Sequence, residues 1–129
     1  MVNTELLFKT AAALDVISIF GHTFMGFKIV HPALGTIPTA ASRDNKVGQR
    51  GAQGTWNYFN ASLVISAAQN WQWARTGGPQ TTEEMVMLAA TVIMGFANSV
   101  RYVQVAEYAP LACLFVAPLL SLVATLKGN

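Results

Sequence analysis

Asp15, Ser18 and His22 fall at i, i+3 and i+7 within Thr10–Val30, TAAALDVISIFGHTFMGFKIV, so on a helix they share one face. A carboxyl and an imidazole on one face are candidates for general acid–base chemistry, and imidazole titrates nearest to neutral pH. The run is apolar and about as long as the ~20 residues needed to cross ~30 Å of hydrocarbon. Ionisable groups in such a span are costly and usually face a protein interior or a wet cavity. Asp15 must therefore find partners or a changed protonation state, and a perturbed carboxyl in a cleft is a functional candidate. Glu107 is the third titratable candidate, and Asp15, His22 and Glu107 are assigned the proton transfers.

Polar residues of other segments are expected to meet them. Asn57, Tyr58 and Asn60 cluster in one stretch, and Thr91, Gly95, Asn98 and Arg101 follow i, i+4, i+7 and i+10 in another. Glu107 and Tyr108 precede an apolar segment in which Leu111, Leu114, Pro118 and Ser121 continue the stripe. Arg101 and the asparagines would orient or polarise a substrate oxygen, with Tyr58 or Tyr108 donating to it. Each group also has a plain structural role: Arg101 with Glu107 as an ion pair, Asn57 and Asn60 as interhelical hydrogen bonds, Lys28 snorkelling to the interface. No cofactor or metal is expected. His22 and His31 lie about 13.5 Å apart along one helix, no HxxxH or ExxH spacing occurs, and phosphate loops and nucleophile motifs are absent. The single cysteine, Cys113, lies in an apolar run and is expected to be a small buried hydrophobe.

The elements that would position these groups follow from composition. The chain of 129 residues is 53% hydrophobic and 11% charged, against about 25% charged for soluble domains. Its net charge of +2 carries no Lys/Arg cluster, which excludes a nucleic-acid footprint. These features predict an all-α bundle of four transmembrane helices in one domain, with spans at about 10–30, 55–73, 85–103 and 106–126. Asp15 and the polar residues near His22 argue against a cleaved signal sequence.

His31-Pro32 is expected to end the first span, because the residue before proline is pushed out of the helical region. Ala33 to Gly54 reads as a long polar loop, a lid or an ordinary connection. Thr55 is a candidate helix cap, and Trp56, Tyr58, Trp71 and Trp73 read as two interfacial belts. Thr81 with Glu83 and Glu84 reads as a helix start. A turn near Gln104 separates the last two spans, and Pro118 should kink the final helix. Both termini then share side A with the turn at Gly77, and the long loop shares side B with the turn near Gln104. Lys28, Arg43, Lys46, Arg50 and Arg101 on side B favour a cytoplasmic side B.

The pattern of an apolar run, Gly21-His22-Thr23, a polar stretch, Trp56-Asn57-Tyr58-Phe59 and Phe115-Val116-Ala117-Pro118 resembles small four-helix membrane proteins with a GHT motif in helix one. That resemblance covers most of the chain and implies a fold without an activity. Separately, Glu107-Tyr108-Ala109-Pro110-Leu111 looks like the Glu-Tyr-x-Pro-Leu segment of the membrane-associated eicosanoid and glutathione metabolism family. In that family the segment belongs to the second helix, here it opens the last, and the Asn expected before the Glu is missing. No residue role is carried over.

Two functions are expected from this reading. One is a small integral membrane enzyme doing cofactor-independent acid–base chemistry, such as isomerisation, cyclisation or epoxide opening, on an apolar small molecule. The other is a non-catalytic membrane subunit or lipid-binding protein. Partners are the lipid bilayer and an apolar substrate or lipid, with homo-oligomerisation open; transport would require it. The catalytic reading expects Asp15 and His22 to face one internal cavity opening towards side B.

Overall fold

A computed structural model describes residues 3–40 and 42–128. Within them the chain is all helical and has no strand. The elements are α1 (Thr4–Met25), a π-helical turn (Gly26–Val30), α2 (His31–Gly35), α3 (Arg43–Thr76), α4 (Thr82–Gln104), a second π-helical turn (Ala112–Val116) and α5 (Ala117–Gly128). The first three form one continuous rod, so the bundle has four rods.

The helix starts are written locally. Asn3 accepts from the Leu6 N–H, Ser42 from Asp44, and Thr81 from Glu84, with acids in each first turn. These are the orphan amide donors of a helix N-terminus, met by short oxygen-bearing side chains. At the other end of α3, Gly77 adopts φ 83°, the left-handed cap conformation that glycine enters without penalty.

Several sequence expectations are corrected. His31-Pro32 does not end the first rod, which continues to Gly35. The preceding π turn accounts for this: it replaces the usual bond with His31 N–H to Gly26 O, and proline needs no amide partner after it. Pro118 stands in the same relation to the second π turn, where Ala117 N–H bonds Ala112 O. In both places a five-residue π turn, one residue and a proline follow in order.

The long loop is also much shorter than expected. Helix α3 begins at Arg43, so Thr55 lies mid-helix, and only the segment between Gly35 and Arg43 connects the rods. Ser42 caps the helix, Asn45 Nδ2 donates to Pro38 O (3.0 Å), and Gln49 Nε2 donates to Leu34 O (2.8 Å). These bonds outweigh Gly48, Gly51 and Gly54, each of which costs about 1 kcal/mol in a helix interior. The turn near Gln104 is present, and Ala106 takes φ 56° where a glycine would be expected.

The rods α1 and α3 pack antiparallel through most of their length. Their contacts step in register: Phe8 on Trp73, Asp15 on Ser66, His22 on Asn60, and Gly26 against Trp56. At the end holding the Gly77 turn, Phe8, Trp73, Ala74, Leu88 and Ala124 form the apolar core. Trp73 (4% exposed) and Trp56 thus face inward, whereas Tyr58 and Trp71 stay outside. Ala11, Ala12, Ala67, Ala117 and Ala124 are buried, and such small residues let helix backbones approach closely. At Gly95 a side chain would run into the Leu114 carbonyl of the second π turn.

Two helices, Thr4–Gly35 and Thr82–Gln104, are long and apolar enough to cross a membrane, and only 11% and 17% of their most apolar windows are buried. Many of their large side chains are exposed on the outer surface, among them Ile17, Phe20, Phe27, Ile93 and Phe96. Helix α3 is less apolar: its exposed first turns carry Arg43, Asp44, Lys46 and Arg50, and on its inner side Asn60, Ser66 and Asn70 bond across to α1.

Candidate functional site

Between the rods, in the half that holds the Gly35–Arg43 connection and the Ala106 turn, lies a cavity of about 760 Å³. That is within the usual range for small-molecule sites. Its wall is mainly apolar and includes Phe24, Met25, Ile29, Trp56, Phe59, Pro110 and Leu114. The polar groups in it are few: Ser18, His22, Thr55, Asn98, Tyr102, Glu107 and Cys113. Both π turns contribute to the wall, through Ile29 and through Cys113 with Leu114. Such turns often mark functional positions because they re-aim the side chains that follow.

His22 is the most firmly placed of these groups. Its ring stacks on Trp56 at 4.0 Å between centroids and 14° between planes, and Phe59 lies 4.9 Å away. Asn60 Nδ2 donates to Thr23 Oγ1 (3.2 Å), which turns its Oδ1 towards the imidazole. His22 Nδ1–H then donates to Asn60 Oδ1 at 3.0 Å. That bond fixes the tautomer and leaves Nε2 with its lone pair as the proton acceptor.

Trp56 is held in turn by Gly26. A Cβ there would lie 2.5 Å from the indole Nε1, so only glycine admits the ring. The same point is 3.5 Å from His31 Nε2, so His31 also approaches Trp56. On a regular helix His22 and His31 would lie on opposite faces; the extra residue of the π turn swings His31 round by about 100°. The Trp56 Nε1 is the one buried side-chain nitrogen or oxygen without a hydrogen-bond partner among the described residues.

Asp15 and His22 do not line the same cavity. Two helical turns separate them, about 10.5 Å, and Asp15 borders a second cavity of about 210 Å³. It is 1% exposed. Its Oδ2 accepts from Ser66 Oγ (2.7 Å) and Asn70 Nδ2 (3.2 Å), and Ser121 Oγ donates to Asn70 Oδ1 (2.6 Å). The network joins α1, α3 and α5. The two cavities share Phe59, Asn98, Cys113 and Leu114 as a partition.

The remaining predicted residues divide. Glu107 and Asn98 line the large cavity, and Asn60 stands behind His22. Asn57, Tyr58 (69% exposed), Arg101 and Tyr108 (62% exposed) face outward and line neither cavity. The expected Arg101–Glu107 ion pair is not formed; the Glu107 carboxylate accepts from its own turn at Ala109 N–H (3.4 Å). Residues that sequence reasoning passed over are Trp56, Phe59 and Tyr102 in the wall and the Ser66–Asn70–Ser121 network. The signal for the network was present, since Ser66 and Asn70 stand one turn apart on the same face as Asn60 and Leu63.

Among the described residues no group of three His, Cys, Asp or Glu side chains could hold a metal ion. No family model, curated protein or solved structure matches the chain.

Proposed function

We propose that the chain is a multi-pass integral membrane enzyme of four spans that takes an apolar small molecule into the large cavity and carries out cofactor-independent proton transfer on it. The reaction class is isomerisation, cyclisation or epoxide opening, which needs a base, an acid and a dry pocket. The observation carrying this reading is an imidazole with its tautomer set by Asn60 and its plane set by Trp56, in the wall of a large apolar cavity. His22 Nε2 takes the proton, the protonated form of Glu107 in the same cavity wall returns one, the imidazolium then gives its proton back to that carboxylate, and Tyr102 and Asn98 bind the substrate's oxygen. Asp15 has no direct part, because it borders the other cavity. The outward-facing apolar side chains support membrane embedding: a soluble bundle would bury them.

The test uses the chain in lipid nanodiscs, incubated in heavy water with a total lipid extract. Deuterium should appear in an apolar product with the wild type. His22→Gln and Glu107→Gln should each lower that rate by about 10²–10⁴-fold, the usual contribution of a positioned acid or base. A bound apolar molecule recovered without deuterium incorporation would favour the lipid-binding alternative. The exposed start of α3, Arg43 to Gly54, favours a subunit reading to the extent that it offers a docking surface. Loss of the fold outside a partner complex would support that one.

A further inference from the structure

The two cavities are successive parts of one cleft between α3 and α4. Among the described residues, side-chain hydrogen bonds join those helices only near the Gly77 turn. There Gln72 Nε2 donates to Glu84 Oε1 (3.0 Å) and Gln69 Nε2 to Met87 Sδ (2.9 Å). The apolar core of Phe8, Trp73 and Leu88 closes that end. Farther along, Ser62 and Leu63 of α3 and Met94 and Asn98 of α4 line the smaller cavity. Phe59, Asn98, Cys113 and Leu114 border both cavities, so the cleft runs on into the larger one.

Polar groups free to meet a ligand gather at one end of this cleft. In the smaller cavity Thr91 Oγ1 donates to Met87 O (2.8 Å), and Ser66 Oγ donates to Asp15, itself sealed at 1% exposure. The rest of that lining is mainly apolar, with Phe59, Leu63, Met94, Leu114 and Pro118. The larger cavity instead offers acceptors. His22 Nε2 keeps its lone pair, and Asn98 Nδ2 donates to Met94 O (2.8 Å), which leaves Oδ1 to accept. Tyr102 adds a hydroxyl, and no Lys or Arg borders the space.

We infer that the cleft holds a neutral single-chain alcohol, its hydroxyl at Asn98 and Tyr102 and its chain running into the smaller cavity. This rests on the acid–base reading of the large cavity and names its substrate class. The hydroxyl donates to Asn98 Oδ1 and accepts from the Tyr102 hydroxyl. A carboxylate or phosphate head would be buried without a cation, which is strongly unfavourable. Only His22 in that wall could carry a positive charge, and the proposed chemistry needs its neutral form. The narrowing from about 760 to about 210 Å³ suits a flexible chain rather than a fused ring system. Tyr102 and Thr91 stand eleven residues apart on α4, which is about 16.5 Å. An extended chain advances ~1.3 Å for each C–C bond of ~1.52 Å, so about twelve carbons fill that length.

The test is native mass spectrometry of the full chain released from nanodiscs doped with an equimolar series of straight-chain primary alcohols. Retention by the wild type should peak at about twelve carbons. Ser62→Phe fills only the smaller cavity and should shorten the preferred chain by about four carbons, one helical turn of cleft. If that variant does not fold, Met94→Trp, at an exposed position on the α4 side of the same cavity, should give the same shift. The ionised carboxylate and the alkane of equal length should each be retained about tenfold less than the alcohol. Retention indifferent to chain length, a peak that the folded variant does not move, or equal retention of the carboxylate overturns the inference. Length-selected binding of the alcohol without deuterium exchange would leave it standing and sink the acid–base reading. Exchange on a ligand bound without length selection would do the reverse.

Discussion

His22 is the residue on which the catalytic reading turns, and its reactivity depends on Asn60 rather than on its own position. The Asn60 carboxamide is clamped by Thr23 and accepts the Nδ1 proton, so it acts as a positioning residue. Asn60→Ala should lower the rate by about 10–100-fold, the factor for 1–3 kcal/mol of lost hydrogen bonding. The KM should stay close to that of the wild type, and Asn60→Asp, which keeps the acceptor, should recover most of the rate. A KM effect alone would mean that Asn60 serves packing. The candidate residues were legible where chemistry and helix phase agreed: Asp15, His22, Asn60 and Asn98 all face inward, as their spacing implied. Tyr58, Tyr108 and Arg101 belong to the same helix ends, but depth alone does not set a side chain's direction. Trp56 was read as an interfacial anchor because its apolar body suits a headgroup as well as an imidazole.

At the scale of the elements, two π turns determine the cavity. Each widens its helix just ahead of a proline, and each presents residues to the wall. The second pushes the Leu114 carbonyl against Gly95 of α4. Gly95→Val should therefore destabilise the bundle by on the order of 3 kcal/mol, the upper end for overpacking, because the obstacle is backbone and cannot rotate away. Denaturant titration in mild detergent would measure it, and a loss under about 0.5 kcal/mol would mean that the rods slide apart cheaply. The prolines were visible in the sequence, and they suggested a helix end at Pro32 and a kink at Pro118. What they could not convey is that a π turn absorbs the missing donor and lets the rod continue. The segment Ala33–Gly54 misled for a similar reason: its glycines look like a loop, yet a Ser42 cap and two side-chain bonds carry the helix through most of it.

For the whole molecule, the four-rod bundle was legible because apolar runs and polar breaks dominate the sequence. Its polar interior was less so. In the proposed membrane bundle, close packing and interhelical hydrogen bonds would hold the helices together in place of an apolar contrast with the surroundings, and hydropathy does not report such bonds. With the four spans proposed, both termini would share one face, and the Lys/Arg bias would put that face outside the cytoplasm. Reporter fusions at each end should both report the non-cytoplasmic side; two cytosolic termini would reverse the orientation, and opposite sides would overturn the span count. The central claim, however, is that the large cavity is a binding site for an apolar molecule. Native mass spectrometry of the chain released from nanodiscs tests it most directly. Gly21 borders the cavity, and a Cβ there meets no atom within 4 Å, so Gly21→Phe can fill the space without breaking the fold. The account predicts a stoichiometric apolar small molecule bound to the wild type and lost from Gly21→Phe. A wild-type chain that emerges empty, or the same adduct on both, would contradict it.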